Sequence, residues 1–180
     1  LGAACIEPAL AYLNRAGAAV QFGHRLRALE FADGRATALQ FGDDMVALGR
    51  DDRVVVAAPP VVATALLPGL SAPTEFRAIV NAHFKIDPPA GSEPILGVVN
   101  ATVEWIFAFA DRLSVTISAA DRLVDAPREE LARTIWREVA IAYKMGNIGM
   151  PPWQIVRERR ATFAAHPTQE ANRPGPETTW

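Results

Sequence analysis

The chain has 180 residues, of which 50% are hydrophobic and 21% charged, a composition typical of globular domains. This length allows one good-sized hydrophobic core or two small ones. The net charge of −2 argues against a general nucleic-acid binder. The single cysteine, Cys5, excludes an internal disulfide, fits a reducing compartment and is interpreted as a small apolar filler.

Residues 54–74 carry no charge and are nominally long enough to cross a bilayer. Prolines interrupt this stretch, and the spacing of apolar residues differs between its two halves. We therefore predict a strand, a turn and a short helix instead of a membrane span. The N-terminal residues lack the basic region of a signal peptide. We therefore expect a cytoplasmic protein.

The first third of the chain predicts one helix and a small antiparallel meander. The helix covers residues 6–15, with Pro8 in its first turn and Gly17 as a C-cap. Asp33 and Gly34 indicate a hairpin, because type I′ turns need positive φ at both central residues. The predicted strands are residues 18–22, 26–31, 37–41 and 45–48.

A continuous apolar run at residues 54–58 predicts a strand that is buried on both faces, as in a parallel sheet. Residues 61–67 then predict a short helix. The next strand, 78–86, alternates, with Val80, Ala82 and Phe84 on one face and Asn81 and His83 on the other.

Three further strands are predicted at residues 95–99, 105–109 and 113–118, and the polar face of the last carries only hydroxyl groups. A long helix begins near Asp125, repeats apolar residues every fourth position and ends at Gly146. We expect a strand at 154–158 and irregular chain after it. The fold class is therefore α+β.

Few residue patterns point to a specific chemistry. The three histidines are far apart, so no metal site is expected, and no nucleophile elbow or phosphate-binding glycine loop occurs. No residue has a convincing acid–base role. Arg157, Arg159 and Arg160 can bind a phosphate or lie on the solvent-exposed face of an edge strand, and spacing alone favours the solvent-exposed face.

Four aromatic residues can wall a pocket for an apolar substrate or pack in a core, and spacing alone favours the core. They are Trp105, Phe107, Phe109 and Trp153.

The segment 152–164, PWQIVRERRATFA, resembles the squalene-associated FAD-dependent desaturases, a branch of the phytoene desaturase/amine oxidase flavoproteins. Residues 7–20, 23–29 and 52–60 look like the helix, the adenine-side strand and the re-entrant strand of that superfamily. The resemblance implies a partial FAD-binding lobe at residues 1–69, a substrate lobe at 70–164 and an irregular tail at 165–180.

The family likeness also implies roles for particular residues. Arg25 and Leu26, with Ala58 and Pro59 as weaker candidates, are expected near FAD. The four aromatic residues are expected to line a tunnel for a long isoprenoid substrate. The implied reaction is the dehydroxylation of hydroxysqualene to squalene, or a related desaturation, as in hopanoid pathways. The glycine-rich nucleotide motif and the C-terminal Gly-Asp motif of the family do not occur, so we expect a piece of a flavoenzyme that does not bind FAD alone.

Three hypotheses remain. The first is an isoprenoid flavoenzyme. Its apolar substrate implies contact with a membrane surface, and the open face of its FAD lobe implies that a second copy of the chain buries this face. The second keeps the fold but changes the substrate, and is either an amine oxidase-like enzyme with an aromatic cage or a carotenoid desaturase-like enzyme. The third is a non-catalytic binding module, which predicts a self-contained structure with no open apolar face.

Overall fold

The computed structural model describes residues 2–175, which form two compact units. The second unit is Ser71–Arg173, and the first contains the described residues on either side of it. Helices and antiparallel sheets occur in the chain, which confirms the α+β class. The roles assigned to segments 1–69, 70–164 and 165–180 stay a prediction, and residues 176–180 of the last segment lie outside the described range.

The first unit begins with a π-helical turn and contains two helices and a three-stranded antiparallel sheet in the order β1-β2-β3. The predicted hairpin turn is confirmed, because Asp33 and Gly34 have φ of 51° and 73°. The predicted helices and the three meander strands are confirmed to within two residues. The elements are Gly2–Ile6 (the π turn), α1 (Glu7–Arg15), β1 (Ala28–Ala32), β2 (Arg35–Phe41), β3 (Asp44–Ala47) and α2 (Pro60–Leu66).

Two predicted strands of this unit are wrong. Residues 18–22 and 54–58 belong to no strand, and Phe22 and Val55 are 77% and 89% exposed. Apolar runs become strands only where a neighbouring strand satisfies their backbone groups, and within residues 2–175 no strand pairs with either run. Val54 and Val56 instead line an open cleft of about 670 Å³ beside β1 and β2.

This unit buries little of its apolar surface. Among its described residues, the buried hydrophobic side chains are Ala38 and Leu66. Large apolar side chains such as Tyr12 and Phe22 are more than half exposed. An open apolar surface of this kind contradicts the self-contained structure that the binding-module hypothesis predicts.

The second unit is a five-stranded antiparallel sheet in the order β5-β6-β7-β4-β8, with one long helix. The predicted strands and long helix of this region are confirmed, with small differences at the ends of all of them except β8, which extends five residues further than predicted. The elements are β4 (Phe76–Phe84), β5 (Ile95–Gly97), β6 (Trp105–Phe109), β7 (Arg112–Ile117), a 3-10 turn (Ala120–Arg122), α3 (Arg128–Ala142), β8 (Trp153–Phe163) and α4 (Pro167–Glu170).

The core lies between α3 and one face of this sheet, which we call the core face. The alternating residues Val80, Ala82 and Phe84 of β4 are fully buried there. The helix contributes Ile135 and Trp136, and the Trp136 ring lies 5.0 Å from the ring of Phe84. The other face of the sheet, which we call the outer face, does not pack against α3.

β8 continues to Phe163, so the prediction of irregular chain after residue 158 is wrong. The strand resumes pairing after a bulge: Ile79 lies opposite Glu158, whereas Arg77 lies opposite Thr162. At the bulge, the backbone N–H of Ala78 donates to Asp121 Oδ1 at 3.3 Å. The extra residues, which include Arg159 and Arg160, project from the edge without ending the strand.

The irregular-tail prediction is also wrong for Pro167–Glu170, which form α4. The buried side chain of Gln169 holds this short helix against the start of β4. Its Oε1 accepts hydrogen bonds from the backbone N–H groups of Thr74 and Glu75 at 2.7 and 3.1 Å. His166 adds a hydrogen-bond contact of 3.1 Å between its Nε2 and Glu75 Oε2.

Candidate functional site

The outer face of the sheet carries rows of side chains that run from polar to aromatic across the strands. Residues directly opposite in an antiparallel pair project from the same face. One row contains His83, Ser114 and Phe107, and a second row contains Asn81, Thr116 and Trp105. The polar members stand on the central strands β4 and β7, and the aromatic members stand on β6.

Two cross-strand hydrogen bonds organise the polar part of this face. His83 Nδ1 lies 2.9 Å from Ser114 Oγ, and the Thr116 hydroxyl donates to Asn81 Oδ1 at 2.7 Å. Ser114 is only 6% exposed, so its hydroxyl orients the imidazole and is too buried to act as a nucleophile. No partner for His83 Nε2 occurs among residues 2–175.

Burial lowers the pKa of His83 below its ordinary value of 6.5, and the nearby positive charge of Arg112 lowers it further. The imidazole is therefore neutral at pH 7. A neutral imidazole that accepts a hydrogen bond at Nδ1 carries its proton on Nε2. If Ser114 donates to Nδ1, His83 presents an N–H donor toward the outer face.

We expect the His83 ring to titrate with a midpoint below 6.5 in an NMR pH titration. Because the folded chain then binds fewer protons than the unfolded chain, this group's contribution to stability is complete above pH 6.5 and is lost as the pH falls toward the folded pKa. Replacing His83 with glutamine should flatten the pH dependence of the unfolding free energy in that range. A midpoint at or above 6.5 would contradict the burial argument.

The aromatic side chains of β6 lie on the outer face. Trp105 is 48% exposed and Phe109 is 45% exposed, whereas Ile106, between them in the strand, is fully buried on the core face. The indole of Trp105 lies over Gly97, where a Cβ would come within 3.4 Å of the ring. Core packing, which spacing alone favoured, is therefore wrong for the aromatic residues of β6.

Trp153 is placed differently from the other three aromatic residues. It lies opposite Phe84 in the β4–β8 pair and packs against the hydrophobic core. Its edge also borders an open cleft of about 400 Å³ at the strand ends, where His83, Arg112 and Gln154 are neighbours. Trp153 therefore lies apart from the aromatic residues of β6 and close to His83.

The basic cluster near the chain's end has partners within the second unit. The Arg157 guanidinium donates to the carbonyl of Ala126 at 2.5 Å, and that of Arg159 pairs with the Asp125 carboxylate at 2.5 Å. Arg157 is half-buried on the core face, so its assignment to the solvent-exposed face of the strand is wrong, although β8 is an edge strand. Both groups join β8 to the segment before α3 and are not presented to a phosphate.

The residues expected near FAD lie in the first unit, Arg25 and Leu26 before β1 and Ala58 and Pro59 before α2. Arg25 is exposed and lines an open cleft of about 280 Å³ with Arg27, Gly23 and Asp44. Leu26 is half-buried and does not line this cleft. Ala58 and Pro59 precede α2, and the Pro59 carbonyl accepts hydrogen bonds from the first turn of that helix. Their roles in cofactor binding stay predictions.

This cleft is too small for a whole FAD molecule. Its lining combines two arginine residues, which favour an anionic group, with the Asp44 carboxylate, which opposes one. Sites that enclose a whole ligand usually span roughly 300–1,000 Å³, so 280 Å³ holds only part of a dinucleotide.

Other classes of site receive no support from the described residues. Between residues 2 and 175, no group of three His, Cys, Asp or Glu side chains could hold a metal ion. In the same range, no helix has both the length and the apolar character to cross a membrane.

Sequence reasoning missed the His83–Ser114 pair and its open Nε2 position. The signal was present, because His83 stands on the polar face of one strand and Ser114 on the hydroxyl face of another. What the sequence lacked was the register that places these two residues opposite each other, and register depends on pairing across 31 residues.

Comparison with known proteins defines the class of protein. The model of the flavin containing amine oxidoreductase family matches residues 2–179, so the chain belongs to this family. A solved structure, described as a protoporphyrinogen oxidase from Exiguobacterium sp. 255-15, superposes on 88% of this chain and 39% of its own with a TM-score of 0.64. Its sequence identity is 15%, so this likeness concerns the fold alone.

Three curated relatives narrow the class, and each is named hydroxysqualene dehydroxylase. The Rhodopseudomonas palustris protein is 60% identical over 183 residues, which cover 100% of this chain and 43% of that protein. The Sinorhizobium fredii protein is 57% identical over 99% of this chain and 42% of its own length. The Zymomonas mobilis protein is 42% identical over 100% of this chain and 43% of its own length. This chain thus spans less than half the length of the relatives it matches.

Proposed function

We propose that this chain forms the substrate lobe and part of the flavin lobe of an FAD-dependent hydroxysqualene dehydroxylase. The observation that carries the proposal is the 60% identity to the Rhodopseudomonas palustris relative along the whole chain. Similarity of this kind covers both units, and not only a shared cofactor-binding motif. The proposal extends to the complete protein the activity for which its relatives are named.

The outer face of the second unit supports an isoprenoid substrate. Trp105 and Phe109 present large apolar surfaces there, and Phe107 lies between them, half-buried. Such surfaces bind flexible hydrocarbon chains by removing them from water. Next to them, His83 and Asn81 supply polar groups that an otherwise apolar substrate with one hydroxyl group can use.

The proposed reaction replaces a hydroxyl group with hydrogen. The substrate's C–O bond breaks, a C–H bond forms at the same carbon, and the hydroxyl leaves as water. Reduced FAD, where the complete protein holds it, would supply both the hydride for the new C–H bond and the proton with which the hydroxyl leaves as water. The residues of this chain hold the substrate, exclude water from the reacting carbon and, at Arg25 and Leu26, contact one end of the cofactor.

The amine alternative is less compatible with this face. The Arg112 guanidinium already lies 4.2 Å from the centroid of the Phe109 ring. A cationic amine seeking that ring would be repelled by Arg112, whereas a neutral alcohol would not. Contact with a membrane surface, cover of the first unit by a second copy, and a cytoplasmic location stay predictions.

A chimera tests the proposed function. This chain replaces the matching 183-residue segment of the Rhodopseudomonas palustris relative, and the product is purified with FAD and incubated with hydroxysqualene and a reductant. We expect bound flavin, visible at 350–500 nm, and formation of squalene. The 180-residue chain alone, mixed with FAD, is expected to retain no stoichiometric flavin. A chimera that binds FAD but forms no squalene would contradict the proposal.

A further inference from the structure

The polar residues of the outer face, His83, Ser114, Asn81 and Thr116, leave hydrogen-bonding positions that the described part of the chain does not use. Ser114 Oγ lies 2.9 Å from His83 Nδ1, and Thr116 occupies the carbonyl oxygen of Asn81. Within the described residues, His83 Nε2 has no partner. Nε2 is not a buried atom, so it is accessible from the cleft that His83 lines and is open to a ligand group.

The surroundings of His83 define what that group can be. Arg112 and Lys85 line the same cleft, so a cation is disfavoured there. The Asp111 carboxylate also borders the cleft, but it pairs with the Arg112 guanidinium at 2.9 Å. In the tautomer in which Nδ1 accepts from Ser114, Nε2 is a neutral N–H donor, and such a donor suits an uncharged oxygen acceptor, such as the oxygen of an alcohol.

The sheet register relates His83 to the aromatic residues. Ser114 lies between His83 on one side and Phe107 on the other, in directly opposed pairs. Neighbouring strands are roughly 4.8 Å apart, so the imidazole and the Phe107 ring stand about 10 Å from each other across the face. A hydrocarbon chain that lies along the aromatic residues can therefore place a hydroxyl group at His83.

Of the two polar residues on β4, His83 is the better candidate. His83 lines the cleft, whereas Asn81 does not. The imidazole is also oriented by the buried hydroxyl of Ser114, so its donor direction is fixed before a ligand arrives, which lowers the entropic cost of binding.

We propose that His83, oriented by Ser114, is the specificity-determining residue that donates a hydrogen bond from Nε2 to the hydroxyl oxygen of an isoprenoid alcohol. This inference rests on the proposed function and adds the residue that distinguishes the hydroxylated substrate from the hydrocarbon product. Product release follows from the same contact, because squalene lacks the oxygen that His83 binds.

The test measures equilibrium binding of hydroxysqualene and of squalene to the FAD-loaded chimera. The flavin is kept oxidised, so that no substrate is consumed. We expect the parent chimera to bind hydroxysqualene about tenfold more tightly than squalene, as one hydrogen bond provides. His83→Phe should remove this preference by weakening hydroxysqualene binding about tenfold and changing squalene binding less than twofold.

Three further variants make the result specific. His83→Gln keeps an N–H donor and should retain part of the preference, and Ser114→Ala should lose part of it because the ring is no longer oriented. These two variants also decide the question if His83→Phe does not fold. Arg137→Gln, on the exposed side of α3, is the control and should bind both probes as the parent does.

The outcomes separate the two proposals. If the chimera forms squalene but His83→Phe and Ser114→Ala keep the full preference, the inference about His83 is wrong and the proposed function stands. Equal weakening of both probes by His83→Phe would show a structural role and would also refute it. If the chimera neither binds hydroxysqualene nor forms squalene, both proposals fail.

Discussion

Replacement of Ile135 with alanine is expected to lower the free energy of unfolding by about 2–5 kcal/mol. Ile135 is fully buried in the middle of α3, where it packs against the core face of the sheet. Truncation to alanine removes buried methyl and methylene groups and leaves a cavity that a single helix layer cannot easily close. Urea denaturation of the 180-residue chain, followed by tryptophan fluorescence, measures the change.

The same helix offers a matched control. Ile141 is 70% exposed, so Ile141→Ala removes the same atoms from solvent and should change the free energy of unfolding by less than about 0.5 kcal/mol. Both substitutions alter helix propensity equally, and the difference between them isolates burial. Equal effects at the two positions would mean that α3 does not pack on the sheet as the structure shows.

Replacement of Trp105 with alanine is expected to weaken binding of hydroxysqualene and of squalene by about 30-fold, the loss typical of a large aromatic anchor. Both probes lose affinity because the indole contacts hydrocarbon and not the hydroxyl group. Since Trp105 is 48% exposed and contacts Gly97 at the edge of the sheet, the free energy of unfolding should fall by less than about 1 kcal/mol. Binding to the FAD-loaded chimera and urea denaturation measure the two quantities.

Val156 provides the control for this prediction. It lies on the outer face in the same cross-strand row as Trp105, but on the edge strand β8 at the far end of that row, and it is 42% exposed. Val156→Ala should change the affinity for either probe less than about threefold. If Trp105→Ala unfolds the protein or leaves both affinities unchanged, the β6 aromatic residues do not line the substrate site.

Patterns that are local in the sequence predicted most of the second unit. The alternation in β4 and β7 gave their strand character, and the four-residue repeat gave α3. Asp33 and Gly34 predicted the hairpin of the first unit for a similar reason, since turn geometry depends on only a few adjacent residues.

Features that depend on distant partners were not predictable in this way. Residues 54–58 have the composition of a buried strand, but a strand also needs a neighbour, and none pairs with this run within residues 2–175. The length of β8 depends on its bulge against Ala78, and the face of Trp105 depends on where α3 packs. The His83–Ser114 pair likewise required the register of β4 with β7, which the two strand patterns alone do not specify.

The position of β4 between β7 and β8 has a consequence during synthesis. Its partner in β8 follows roughly 70–90 residues later, because Phe84 pairs with Trp153 and Phe76 with Phe163. At about 5–20 residues per second, the ribosome needs on the order of 4–18 s to deliver that partner. One edge of the growing sheet stays open throughout this interval, so β4 is exposed to pairing with other chains until β8 emerges and covers that edge.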